Sequence, residues 1–343
     1  MTGLRRLSWA TLVFAVGHIV FGAIVRITGS GMGCGEHWPR CHGYWFPPFS
    51  RPDLIIEVSH RYFAATLTAA ILVCVAWAWR RRREPGVGGS GGVLWPLLVA
   101  AGLVVAAALF GAVTVILALA NKAVIVTHLA IAMSLLGAMV VAIVRAGPRP
   151  RIKEREYDAR SSGASSLDRA ANPHAASVPT SRRTARSAYG AAAIAFLTLV
   201  LGALTAHVPG ANSSCTGFPL CAGGLLPTDP SQHLQFTHRV LAFLLTFHLA
   251  GLAVGTRRRG ERIVAPMALL ATTTTLAQVA VAAVMVELSL PAIWRSLHEA
   301  VGTLAWVAVC FMAYVAHISR VEPRAEAASD RSPSEPATSG VSA

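Results

Sequence analysis

The sequence predicts an all-α integral membrane protein in which eight transmembrane helices form two tandem, pseudo-symmetric four-helix bundles. Three observations carry this. Of the 343 residues 54% are hydrophobic and only 13% charged, against about 25% charged in an ordinary soluble domain. Eight runs, near 7–27, 59–79, 93–117, 123–145, 188–207, 236–255, 264–286 and 295–318, reach the roughly 20 apolar residues that a membrane-crossing helix needs. Finally, the motifs around the first two runs recur in order around the fifth and sixth.

The first run leads into a loop without an Ala-x-Ala cleavage site, so it is expected to stay as a helix. Four runs then make an N-terminal half over 1–145. The segment 146–187 is rich in Arg, Ser, Ala and Pro and has no sustained apolar period, the composition of a disordered linker. Four more runs make a C-terminal half over 188–319, and the tail 320–343 resembles the linker. Each half has an even number of spans, so both insert with the same orientation, as a parallel duplication about an axis along the membrane normal.

The formal net charge of +14 does not point to nucleic acid, because the positives are grouped. Arg80 to Arg83, the arginines within 145–186, and Arg257, Arg258, Arg259 and Arg262 all follow even-numbered helices. By the positive-inside rule these clusters and both termini are cytoplasmic, in contact with anionic lipid. The loops 28–58 and 208–235 are then extracytoplasmic. They hold Cys34 with Cys41 and Cys215 with Cys221, and an oxidising compartment favours disulfides between such close cysteines. Cys74 and Cys310 lie in apolar runs and read as buried small hydrophobes.

The halves match in detail. "GAIVRITGSGMGCGEHWPRC" closes the first helix and "GALTAHVPGANSSCTGFPLC" the fifth. "IIEVSHRY" opens the second run at His60, and "LQFTHRVL" opens the sixth at His238. A further histidine opens the last helix of each half, His128 in "VTHLA" and His298 in "SLHEA". Four imidazoles therefore share one depth near the outer leaflet, two per half. Ionisable groups in membrane helices are costly and face the bundle interior, and two facing imidazoles suit the axial positions of a haem iron. Glu57-x-x-His60 also matches the Glu-x-x-His unit of di-iron bundles, but Gln235 leaves the second such unit incomplete. A zinc or copper site of two histidines lacks ligands. Arg61 and Arg239 read either as propionate counter-charges or as side chains snorkelling to the interface. His18, His248 and His317 have no counterparts in the other half and read as core or interfacial residues. His37, His42, His207 and His233 are assigned no role.

The ordered set "GAIVRITGSGMGCGEHWPRCHG", "EVSHR", "THL", "FTHR" and "SLHE" resembles haem A synthase, in the bacterial branch with a cysteine pair in each half. The likeness spans all eight helices. It implies oxidation of the C8 methyl of haem O to a formyl group by successive hydroxylations, giving haem A for cytochrome oxidase. It further implies that His60 and His128 flank the substrate or product haem, and that His238 and His298 ligate a haem b. Cys34 and Cys41 match the family's outer-loop pair implicated in activity; Cys215 and Cys221 match its more structural pair. The implied partners are the farnesyltransferase that makes haem O, the assembling oxidase, and an electron acceptor for which quinone is a candidate.

Glu57 matches the family's functional glutamate. One helical turn before His60, it shares that residue's face and would serve as a base or place water against the C8 centre. The competing reading is a helix cap stabilised by about 0.3–1 kcal/mol from the dipole. Cys34 and Cys41 read as a redox-active or covalent pair in preference to a brace, since Gly29, Gly31, Gly33 and Gly35 give a loop flexible enough to approach the substrate edge, whereas a buried disulfide would simply brace the loop. Two rival functions remain. A di-haem b-type cytochrome that oxidises quinol accounts for the four histidines but not for the Glu57/Gln235 difference. A membrane transporter would place paired polar breaks at mid-depth, where none is evident.

Overall fold

A computed structural model describes residues 1–48, 50–147, 178–221 and 226–320. The expected linker and tail fall mainly on 148–177 and 321–343, outside the described residues. The helices are α1 (Thr2–Ile27), α2 (Pro52–Arg80), α3 (Leu94–Ile116), α4 (Lys122–Arg145), α5 (Arg182–His207), α6 (Pro230–Arg258), α7 (Ala265–Glu287) and α8 (Ala292–Ile318). All eight are long and apolar enough to cross a membrane. With no strand among the described residues, the chain is an all-α multi-pass membrane protein, one of the two ways a backbone can satisfy itself in lipid.

Several helices start earlier than hydropathy predicts, α2, α5 and α6 by the most. α2 and α6 begin at Pro52 and Pro230, about two turns before the apolar runs at 59 and 236. Proline suits the first helical position because its φ is preset and its missing N–H would have no partner there. The Asp229 carboxylate adds a cap, accepting from the N–H groups of Ser231 and Gln232 at 2.9 and 3.0 Å. α5 starts at Arg182, inside the range assigned to the linker, because the Ser181 hydroxyl accepts from the Thr184 N–H at 3.1 Å and caps it. Both α3–α4 and α7–α8 turn through two left-handed residues. These are Ala118 (φ 46°) and Leu119 (φ 58°) in one half, Ser289 (φ 61°) and Leu290 (φ 63°) in the other. Side chains in that region cost about 1–3 kcal/mol each, so the same turn in both halves reflects a shared geometric demand.

In the first half α1 packs on α2, α2 on α3, α3 on α4, and α4 back on α1; α5 to α8 close the same ring. α2 and α4 therefore face each other across a diagonal, as do α6 and α8. The halves join through α4 and α8, with α1 against α8 and α5 against α4, the pattern of a two-fold axis running along the helices. Lipid is as apolar as the helices, so close packing by small residues, not hydrophobic burial, must hold this seam. α8, which touches α1, α4, α5 and α7, buries Ala305, Ala308, Ala313 and Ala316. The Trp306 indole N–H donates to the Met133 carbonyl at 2.8 Å. An Arg26–Glu299 ion pair at 2.6 Å ties the halves at the cysteine-loop end, and Arg145 donates to the Tyr314 hydroxyl at 2.6 Å near the other.

Candidate functional site

His60 and His238 sit about two turns into α2 and α6. His128 and His298 lie at a similar depth in α4 and α8. Each half thus carries one imidazole on each of two diagonal helices, both near the cysteine-loop end. Glycines on neighbouring helices make room for three of the rings. An added Cβ would lie 3.0 Å from His60 Cε1 at Gly22, 3.3 Å from His128 Cε1 at Gly111, and 2.8 Å from His238 Cε1 at Gly202. These rings therefore pack against the neighbouring helix backbones instead of pointing into lipid. Gly22 and Gly202 open the duplicated "GAIV" and "GALT" stretches, so the repeat itself marks the ring seats. Gly202→Ala is expected to displace the His238 ring and, on the reading that His238 ligates a haem, to lower haem affinity in the second half by about 10–100-fold. Absorbance of the low-spin haem checks this, with Gly190→Ala, whose site is open, as the unaffected control.

The ring nitrogens are equally organised. Nδ1 of His128 meets the Ala107 carbonyl at 2.9 Å, and Nδ1 of His238 meets the Thr198 carbonyl at 3.0 Å. Each carbonyl fixes the tautomer with the proton on Nδ1 and leaves Nε2 as a lone-pair donor, the arrangement that metal-ligating histidines nearly always show. His298 lies 3.0 Å from the Gln278 side-chain amide, whose Oε1 is buried without a partner. Turning that amide over would let Oε1 accept the His298 Nδ1 proton. His60 differs. Its ring stacks on His18, with centroids 4.3 Å apart and planes at 16°, and Nδ1 of both rings is buried without a partner. The expectation that His18 is merely a satisfied core residue therefore fails. Of its companions in that reading, His248 is bonded to Ser187 and His317 packs with Tyr314 and Arg320.

This donor set fits a haem. Four imidazoles stand in two diagonal pairs within apolar walls, two with a carbonyl at the nitrogen that would not bind iron and a third, His298, beside the Gln278 amide. Among the described residues no three His, Cys, Asp or Glu side chains converge as a chelating group, so the di-iron and zinc alternatives lack their ligands.

Above the histidines, each cysteine loop is folded down onto α2 or α6. Cys34–Cys41 and Cys215–Cys221 are disulfide-bonded, and all four cysteines are buried. The loops contain cis peptides at Trp38–Pro39 and Phe218–Pro219. The Cys34 N–H donates to Glu57 Oε2 at 2.8 Å, and the Cys215 N–H donates to Gln235 Oε1 at the same distance. Position 57/235 is therefore a docking point common to both halves. It is not a helix cap, since α2 starts at Pro52. Glu57, 4% exposed, is also paired with Arg61.

The arginines do not behave as the sequence suggested. Arg61 donates to the His37 and Pro39 carbonyls at 2.8 and 3.1 Å. Arg239 donates to those of Cys215, Gly217, Pro219 and Leu220 at 2.8–3.2 Å. A guanidinium offers five donors in a fixed fork, and here the fork clamps a loop. Neither arginine snorkels freely, and both guanidiniums are taken up by loop carbonyls. These contacts lie some twenty residues away in sequence and no local pattern announces them.

Comparison with known proteins gives a consistent picture. The chain is 29% identical over 263 residues to the heme A synthase of Geobacillus kaustophilus, covering 75% of this chain and 74% of the relative. It is 27% identical over 317 residues to the heme A synthase of Shouchella clausii, covering 90% and 96%. For the heme A synthase of Geobacillus thermodenitrificans the identity is 28%, covering 72% and 70%. The family model described as cytochrome oxidase assembly protein matches residues 5–54 and 51–310. With matched segments that together take in every helix and all four paired histidines, the chain belongs to the COX15-CtaA family of cytochrome oxidase assembly proteins.

Proposed function

We propose that this protein oxidises the C8 methyl of haem O to a formyl group, making haem A for cytochrome oxidase. The observation that carries the reading is an asymmetry: both halves hold a diagonal histidine pair, but only the first has a buried carboxylate, Glu57, one turn from its histidine. Relatives described as heme A synthases, alignable over most of the chain, support it.

The reaction balances as R–CH3 plus water giving R–CHO, four protons and four electrons. A first hydroxylation gives the alcohol and a second the gem-diol, which loses water. In the first half His60 and His128 hold the substrate haem. Glu57 sits on the His60 face of α2, where it accepts a proton or aims water at the C8 carbon. Arg61 and the Cys34 N–H fix the carboxylate in place. In the second half His238 and His298 would hold a haem b, which supplies one-electron transfer to an external acceptor such as quinone. Gln235 only docks its loop. Burial of Cys34 and Cys41 gives their disulfide a bracing role while the loop stays down, and a redox role requires the loop to lift. The cysteine loops face the extracytoplasmic side and both termini the cytoplasm. Haem O comes from the membrane farnesyltransferase that produces it.

The test is pigment extraction after co-expression with a source of haem O. Hydroxylated and formyl haem are expected. A preparation that binds two haems and yields only unmodified ones would make the protein a di-haem electron-transfer cytochrome instead.

A further inference from the structure

His18 is a polar side chain beside the first histidine pair that the repeat does not duplicate, as Gln278 is beside the second. It lies one turn before Gly22 on α1, and the register that aligns Gly22 with Gly202 aligns His18 with Thr198 on α5. The two halves then offer their first histidine the same surroundings, a glycine seat and a helix carbonyl one turn earlier. The outcomes differ. His238 gives its Nδ1 to the Thr198 carbonyl at 3.0 Å. His60 does not use the carbonyl of residue 18; its ring lies flat on the His18 ring, 4.3 Å away, with Nδ1 buried and unpartnered. His128 and His238 both have a carbonyl at Nδ1, and His298 has the Gln278 amide. His60 alone of the four lacks such a partner.

A carbonyl or amide on the far nitrogen orients an imidazole and raises its basicity, and losing such a partner costs about 10–100-fold in metal affinity. The two sites are asked for different things under the reading given above, on which this inference rests. A substrate and its product must enter and leave the first site, whereas a redox cofactor must stay in the second. We infer that His18 is a positioning residue: by stacking on His60 it keeps that ring out of the locked pose taken by His238, and so makes the first haem site exchangeable. The stacking face is what acts, not a proton on either ring. Threonine at the equivalent position offers no such face, and the second site is locked.

The experiment follows haem transfer from purified protein, loaded at both sites, to excess apomyoglobin, with electron paramagnetic resonance of each site. Wild type is expected to release its haems in two phases, the faster from the first half. His18→Thr should slow the fast phase by about 10-fold or more and move the first-site signal toward that of the second. Thr198→His should speed the slow phase by a similar factor. His18→Phe, which keeps an aromatic face without nitrogens, should exchange like wild type. The inference is overturned if His18→Thr changes neither rate nor signal, or if His18→Phe locks the site as threonine does. Equal release from both wild-type sites would overturn it too. A wild type that holds haem in one half only would instead remove the division of labour between the halves.

Discussion

Glu57→Gln is expected to lower turnover of haem O by about 10²–10⁴-fold, the usual contribution of a general base, with haem content and loop structure unchanged. The second half is the internal control for this substitution. Gln235 occupies the equivalent position and accepts the Cys215 N–H at 2.8 Å, as Glu57 accepts that of Cys34. An amide therefore docks a cysteine loop as well as a carboxylate does. Nor should Arg61 be stranded, because Arg239 stands four residues after a glutamine and satisfies its guanidinium on loop carbonyls alone. What glutamine cannot do is take a proton. The measurement is the rate of alcohol and formyl haem formation, with the low-spin haem spectrum and the thermal midpoint as controls. Normal turnover would reduce Glu57 to a docking residue. A fall in turnover together with thermal stability would mean that the carboxylate–Arg61 pair is structural first.

The eight spans were legible because hydropathy needs only composition, and the four principal histidines because duplication marks them. What escaped was set by contacts between distant residues. The first two turns of α2 and α6 lie beneath a cysteine loop and carry polar residues, Asp53 and Glu57 in one, Ser231, Gln232, His233 and Gln235 in the other, so the apolar window begins after them. Pro52 and Pro230, with Asp229, were the available signals. Arg61 and Arg239 sit beside histidines, which invites a ligand-centred reading, yet their partners are loop carbonyls supplied by the fold. Gln278 is a lone amide among the threonines of α7, and an intramembrane amide is itself a pointer to a partner. Duplication does not mark His18, because it has no equivalent in the other half. That is the wrong test for a residue whose task is to make the halves differ.

Under the proposed division of labour between the halves, His238→Ala should abolish a low-spin haem b signal and, with it, product formation, with second-site haem content falling by about 100-fold. His60→Ala should abolish product formation while sparing that signal. The contrast follows from the geometry. His238 and His298 face across α6 and α8, each with a partner at its ring, and together they would hold the haem, so removing one would leave the other to hold it alone. The fold itself should tolerate the change, since the His238 ring packs on Gly202 and its Nδ1 partner is a helix carbonyl, neither of which collapses when the ring is gone. Free imidazole, which can occupy the vacated space, should restore part of the low-spin spectrum in His238→Ala. It should have no such effect on the second-site spectrum of His60→Ala, which never lost it. If His238→Ala kept the low-spin signal and His60→Ala lost it, the roles of the halves would be reversed. Glu57 would then stand beside the retained haem, and its carboxylate would have to be explained as a tuner of that haem's potential instead of a base acting on the C8 methyl.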